Sequence, residues 1–142
     1  MRFTILIADP DTCATGWEYF DGSCYKVNAT SLSADAARDA CVNEGADLVK
    51  ITSEEENSFV NTLAAGEAWI GLKDDSGSFY WKDGTKVSYT KWKSQSPGNG
   101  PCVVLESSGD WKRVSCTATP QKYVCEQGKR RSSHIYFAFL QK

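Results

Sequence analysis

Trp69-Ile70-Gly71-Leu72 is an unbroken apolar run that reads as a buried strand. It lies between the third and fourth of six cysteines, at positions 13, 24, 41, 102, 116 and 125. An even cysteine count in a short chain reads as a disulfide framework and points to an oxidising compartment. Spacing alone leaves about fifteen pairings open.

On the N-terminal side of that strand the pattern is helical. Ser53 with Glu56 makes a capping box, Phe59, Val60 and Leu63 supply an apolar face, and Gly66 is a stop. Leu48 to Ile51 reads as a short strand. Before it, Ser33 caps a helix with Ala34, Ala37, Ala40 and Cys41 at helical spacing, ended by Gly45. Further out, aromatic strands flank Asp21-Gly22, a strong hairpin signal. On the C-terminal side the chain is strand and loop. Phe79-Tyr80-Trp81 precedes a turn at Asp83-Gly84, and a Ser/Pro/Gly-rich loop runs from Lys93 to Pro101. Strands follow at Cys102–Glu106, Trp111–Cys116 and Tyr123–Cys125.

The chain has 142 residues and 41% hydrophobic content, enough for one domain with a real core. Its formal net charge of −2 makes no case for nucleic acid as a partner. Residues 13–127 hold sixteen acids against eleven Lys/Arg, whereas 128–142 add four cations and no acid. No apolar run reaches membrane-spanning length. Met1 to Ala8 has the charge order of a secretory signal, but its apolar stretch is too short. Asn28-Ala29-Thr30 is an N-glycosylation sequon.

In their order these landmarks resemble the C-type lectin-like domain. They are Gly16-Trp17, Cys24-Tyr25, Cys41, Leu48-Val49-x-Ile51 and Glu55-Glu56-Asn57, then Trp69-Ile70-Gly71-Leu72 and Phe79-x-Trp81-x-Asp83-Gly84. Tyr89-x-x-Trp92, Cys102-Val103, Trp111, Cys116 and Tyr123-Val124-Cys125-Glu126 complete the set. The resemblance implies an α+β fold of the long form, with two helices flanking small antiparallel sheets and a long loop region. It also implies the bridges Cys13–Cys24, Cys41–Cys125 and Cys102–Cys116. The expected organisation is an extension at 1–12, the domain at 13–127 and a basic, apolar tail at 128–142.

The resemblance also implies where a sugar-bridging calcium would sit. Such an ion needs about six to eight oxygen ligands. The family's first ligand triplet falls on Ser96-Pro97-Gly98, where only the proline is kept. Gly100-Pro101 before Cys102 offer no carboxylate, and the pair after Trp111 is Lys112-Arg113. Two cations in place of two ligands oppose a divalent ion by several kcal/mol at about 4 Å. Gln95 and Asn99 flank the triplet and could bring amides inward only through a backbone bulge. Asp74-Asp75 match the start of a second loop site, but Ser76-Gly77-Ser78 replace its remaining acids, and the segment reads as a solvated loop. A separate structural calcium site maps to the Lys50 carbonyl, Glu56 and Glu126.

What remains for binding is a basic face of Lys91, Lys93, Lys112 and Arg113 with Gln95, Ser96 and Asn99. Tyr89 and Trp92 lie close by, with Trp92 and Trp111 read as core. The sole histidine, His134, lies outside the domain, and no nucleophile-elbow, phosphate-loop or HExxH pattern occurs. The sequence therefore reads as a secreted, non-enzymatic recognition domain requiring no cofactor. Its expected ligand is a glycan or anionic surface polysaccharide, bound without calcium. The alternative is a protein-binding module, monomeric or dimeric.

Overall fold

Glycine at 71 is what lets the central strand lie where it does. A Cβ there would fall 2.8 Å from the Leu48 carbonyl oxygen and 3.0 Å from that of Val49. The Gly71 N–H instead donates to the Val49 oxygen at 2.8 Å. The computed structural model describes residues 12–94 and 97–128. Most of the expected extension and tail, with Gln95 and Ser96, lies outside the described residues.

In chain order the elements are β1 (Glu18–Phe20), β2 (Ser23–Leu32), α1 (Ala34–Asn43), β3 (Asp47–Leu48) and α2 (Glu54–Ala64). Next come β4 (Ala68–Asp75), β5 (Ser78–Trp81), β6 (Cys102–Leu105), β7 (Trp111–Val114) and β8 (Gln121–Gln127). The strands join in one sheet in the order β1-β2-β8-β4-β6-β7, with β3 on β8 and β5 on β4. The expected small antiparallel sheets are thus merged, because β4 runs parallel to β8 at Ala68↔Lys122 and Trp69↔Tyr123. Antiparallel β4–β6 pairing closes the other side of β4.

β4 is covered on both faces, which explains its continuous apolar run. Ala68, Ile70 and Leu72 face one cluster with Ile51, Val60, Trp81, Val103 and Trp111. Trp69 faces the other, with Ala37, Cys41, Leu48, Val104 and Tyr123. α1 therefore packs on one side of the sheet and α2 on the other. The three expected disulfides are present. Cys41–Cys125 joins α1 to β8, Cys102–Cys116 braces β6 and the segment after β7, and Cys13–Cys24 secures the first hairpin.

Local signals place the helices. Ser33 Oγ accepts the Ala36 N–H at 3.4 Å, and Ser53 Oγ accepts the Glu56 N–H at 3.1 Å. The return half of the second capping box is displaced by one residue: Glu56 Oε1 accepts the Thr52 N–H at 2.9 Å. The turns at Asp21-Gly22 and Ser76-Gly77 both have positive φ at their two central residues. That is the backbone of tight hairpins, and it turns the expected solvated segment after Asp75 into the β4–β5 connection.

Candidate functional site

The long loop is assembled on β7. The Trp111 N–H donates to the Lys91 oxygen at 2.7 Å, the Lys93 N–H to the Trp111 oxygen at 2.9 Å, and the Arg113 N–H to the Pro97 oxygen. Trp92 and Gly98 thereby run parallel to Trp111 and Arg113. Glycine is required at 98, since a Cβ there would fall 2.1 Å from the Arg113 oxygen. Trp111 is fully buried, with its indole N–H on Asn57 Oδ1 at 2.7 Å. Tyr89, Trp92 and Trp81 all meet the Trp111 ring edge-on. These rings are packed inward, so Trp92 and Tyr89 support the loop rather than form an exposed stacking platform.

Each of the four cations has an acidic partner. Arg113 is the most heavily used. Its guanidinium donates to the Gly100 oxygen at 2.8 Å and the Asn99 oxygen at 3.4 Å, and reaches Asp74 at 3.5 Å. It also lies 4.9 Å above the Phe79 ring. Lys112 lies 3.9 Å and Lys93 3.3 Å from the Glu106 carboxylate, whose side chain is only 13% exposed. Lys91 lies 3.3 Å from Glu54. The Tyr89 hydroxyl donates to Glu54 at 2.6 Å, and this bond, with Lys91, holds the Glu54 carboxyl below its ordinary range.

Lys91, Lys93, Asn99, Lys112 and Arg113 lie on β7 or on the loop beside it, but in three clusters: Lys93 and Lys112 on Glu106, Arg113 on Asp74 and the Asn99 carbonyl, and Lys91 on Glu54. As consecutive residues of β7, Lys112 and Arg113 point to opposite faces of the strand. The partners Glu54, Glu106 and Asp74 had no signal as partners in the sequence. The pairing of Glu54 with Lys91 crosses 37 positions. Asp74 is spent on Arg113 and on the Gly77 N–H, which it accepts at 2.9 Å.

A second polar centre lies beneath α2. Glu56 and Glu126 border a cavity of about 380 Å³ with Lys50, Tyr25, Ser23 and Thr52. The Tyr25 hydroxyl donates to Glu56 Oε2 at 2.5 Å, and Glu126 Oε1 accepts the Lys50 N–H at 3.0 Å. Burial pushes the Glu126 pKa up, and the Glu56 charge adds to the rise. Among the described residues no group of three or more His, Cys, Asp or Glu side chains is gathered as metal ligands.

Residues 30–127 match the Lectin C-type domain family. Over 126 residues the chain is 36% identical to human C-type mannose receptor 2, an alignment taking in 81% of this chain but only 8% of that protein. The chain thus spans under a tenth of that relative's length. Among solved structures, the cow C-type carbohydrate-recognition domain of CD23, studied in the presence of a GlcNAc2Man3 oligosaccharide, superposes with a TM-score of 0.79. It is 31% identical, and the match covers 85% of this chain and 99% of that one. A calcium-independent type II antifreeze protein superposes with a TM-score of 0.78 at 28% identity, covering 84% and 96% of the two chains. Family match and fold agree, and the chain belongs to the C-type lectin domain family.

Proposed function

We propose that this chain is a secreted, non-enzymatic recognition domain that binds glycans or anionic surface polysaccharide without a calcium-bridged contact. The observation that carries this reading is Arg113. Its guanidinium takes the Asn99 and Gly100 carbonyls and the Asp74 carboxylate, and so performs with a fixed side chain the loop-ordering that a cation would otherwise provide. The similarity to a calcium-independent antifreeze protein supports the reading. All six cysteines are bridged, which suits an oxidising compartment and leaves no thiolate nucleophile. The proposed ligand face is Lys91, Lys93, Gln95, Ser96, Asn99, Lys112 and Arg113. Any anionic ligand must compete there with Glu54 and Glu106, so affinity falls as salt rises.

A structural calcium beneath α2 is compatible with this scheme. The Lys50 carbonyl, Glu56 and Glu126 would hold it, and its charge would offset the Glu56 charge that adds to the burial-driven rise of the Glu126 pKa. It would serve the scaffold rather than the ligand. The second reading, a protein-binding module, draws on the same ion pairs: a face of alternating charge with committed partners suits a complementary protein surface.

Calorimetric titration of a sulfated polysaccharide, in EDTA and again with added calcium, tests the proposal. Binding is expected in both conditions. Lys112→Ala, which leaves the Arg113 contacts in place, is expected to weaken it about tenfold. Binding only to neutral sugars, abolished by EDTA and indifferent to Lys112→Ala, overturns the reading. Silence with every glycan, together with concentration-dependent mass, favours the protein-binding module.

A further inference from the structure

Eleven lysines and arginines fall within residues 13–127, and nine of them reach a carboxylate or carbonyl oxygen. Lys86 is exposed and needs no partner. Lys82 is the exception: it is half-buried, yet it makes no ion pair among the described residues. It forms part of the wall of an open groove of about 720 Å³ between β4, β5 and the Asp83-Gly84 turn.

The surroundings of Lys82 explain why its charge is left over. Asp47 accepts two bonds from Arg38, each 3.0 Å. Asp35 pairs with Lys73 at 3.9 Å, and Asp74 with Arg113 at 3.5 Å. Each of these acids is already committed, so Lys82 lies near Lys73 and Arg38 without a counter-charge of its own. Burial lowers its pKa, and the Lys73 and Arg38 charges lower it further. The groove also offers the half-buried Tyr80 ring and, on its outer lip, the exposed Asp75 carboxylate. A ring face suits a sugar ring, and a carboxylate accepts sugar hydroxyls.

We infer that this groove is a second saccharide subsite that selects a sugar bearing an anionic group, sulfate or carboxylate, seated on Lys82 and Lys73. The inference rests on the glycan-binding reading above but places ligand on β4 and β5 rather than on the loop beside β7. Charge-assisted contact with an anion would satisfy the one half-buried cation that has no ion-pair partner among the described residues.

Lysine footprinting of the full chain tests it. Acetylation is followed by mass spectrometry with a sulfated disaccharide, a uronic-acid disaccharide and a neutral disaccharide as probes. Lys73 and Lys82 are expected to be protected at least threefold by one or both anionic probes and not by the neutral one. The two anionic arms tell sulfate from carboxylate. Lys82→Met is expected to weaken anionic-probe binding about tenfold, whereas Lys82→Arg keeps it within about twofold. Protection confined to Lys91, Lys93 and Lys112 overturns the groove and leaves the proposed function standing. Protection of Lys73 and Lys82 with none at Lys91, Lys93 or Lys112 supports the groove and removes the loop face. Equal protection by the neutral probe overturns the charge selection, and no protection at any lysine overturns both readings.

Discussion

Asn57 carries more of the scaffold than its size suggests. It is 2% exposed, accepts the Trp111 indole N–H at 2.7 Å and donates to the Gly109 oxygen at 2.9 Å. One amide thus fixes α2 to the start of β7 and to the turn before it. Asn57→Ala strands two buried polar groups at about 1–3 kcal/mol each, so a loss of about 2–4 kcal/mol is expected in urea unfolding. The sequence marked Asn57 as a landmark without revealing its task, because the partner lies 54 positions away. Glu126 makes a pH-dependent prediction. Its carboxyl is raised in the folded state, so the fold binds that proton more tightly than the unfolded chain does. Its contribution to stability therefore rises as pH falls from above the folded pKa towards the ordinary glutamate value. Glu126→Gln is expected to flatten thermal stability across that interval; an unchanged slope would remove Glu126 as the cause.

Helix ends show what local chemistry reveals and what it hides. Both N-terminal caps were legible, since Ser33 and Ser53 act on neighbours three residues away. The end of α2 was only partly so. Gly66 marks it in the sequence, but the left-handed residue is Ala65, at φ 52°. The strain is offset from a distance: Lys122 Nζ, on β8, donates to the Ala64 and Ala65 oxygens at 2.8 and 3.3 Å. Ala65→Gly relieves the left-handed alanine and is expected to raise stability by about 1 kcal/mol in denaturant unfolding. Among the strands, the Asp21-Gly22 hairpin could be read from its turn. The length of β2 and the parallel β4–β8 pair could not, because both depend on contacts far apart in the chain.

At the scale of the whole molecule, Cys41–Cys125 spans 84 positions and ties a helix to the strand that pairs with β2, β3 and β4. Replacing both cysteines by alanine is expected to cost about 4–5 kcal/mol if restriction of the unfolded chain is the main effect. A much smaller change in the unfolding midpoint would mean that packing, not the cross-link, holds α1 in place. The cations after Trp111 were legible as residue types, and so was their conflict with calcium. Their neutralisation by Glu106 and Asp74 was not, since only the folded β4, β6 and β7 bring these groups together. One consequence follows from the way residues 91–93 and 97–98 lie along β7. The outer rung of this ladder is filled by the chain's own loop, so a visiting strand finds no open template there. Two copies could join through that border only after one had peeled its loop away, which makes such a union slow to form and directly coupled to loss of the loop.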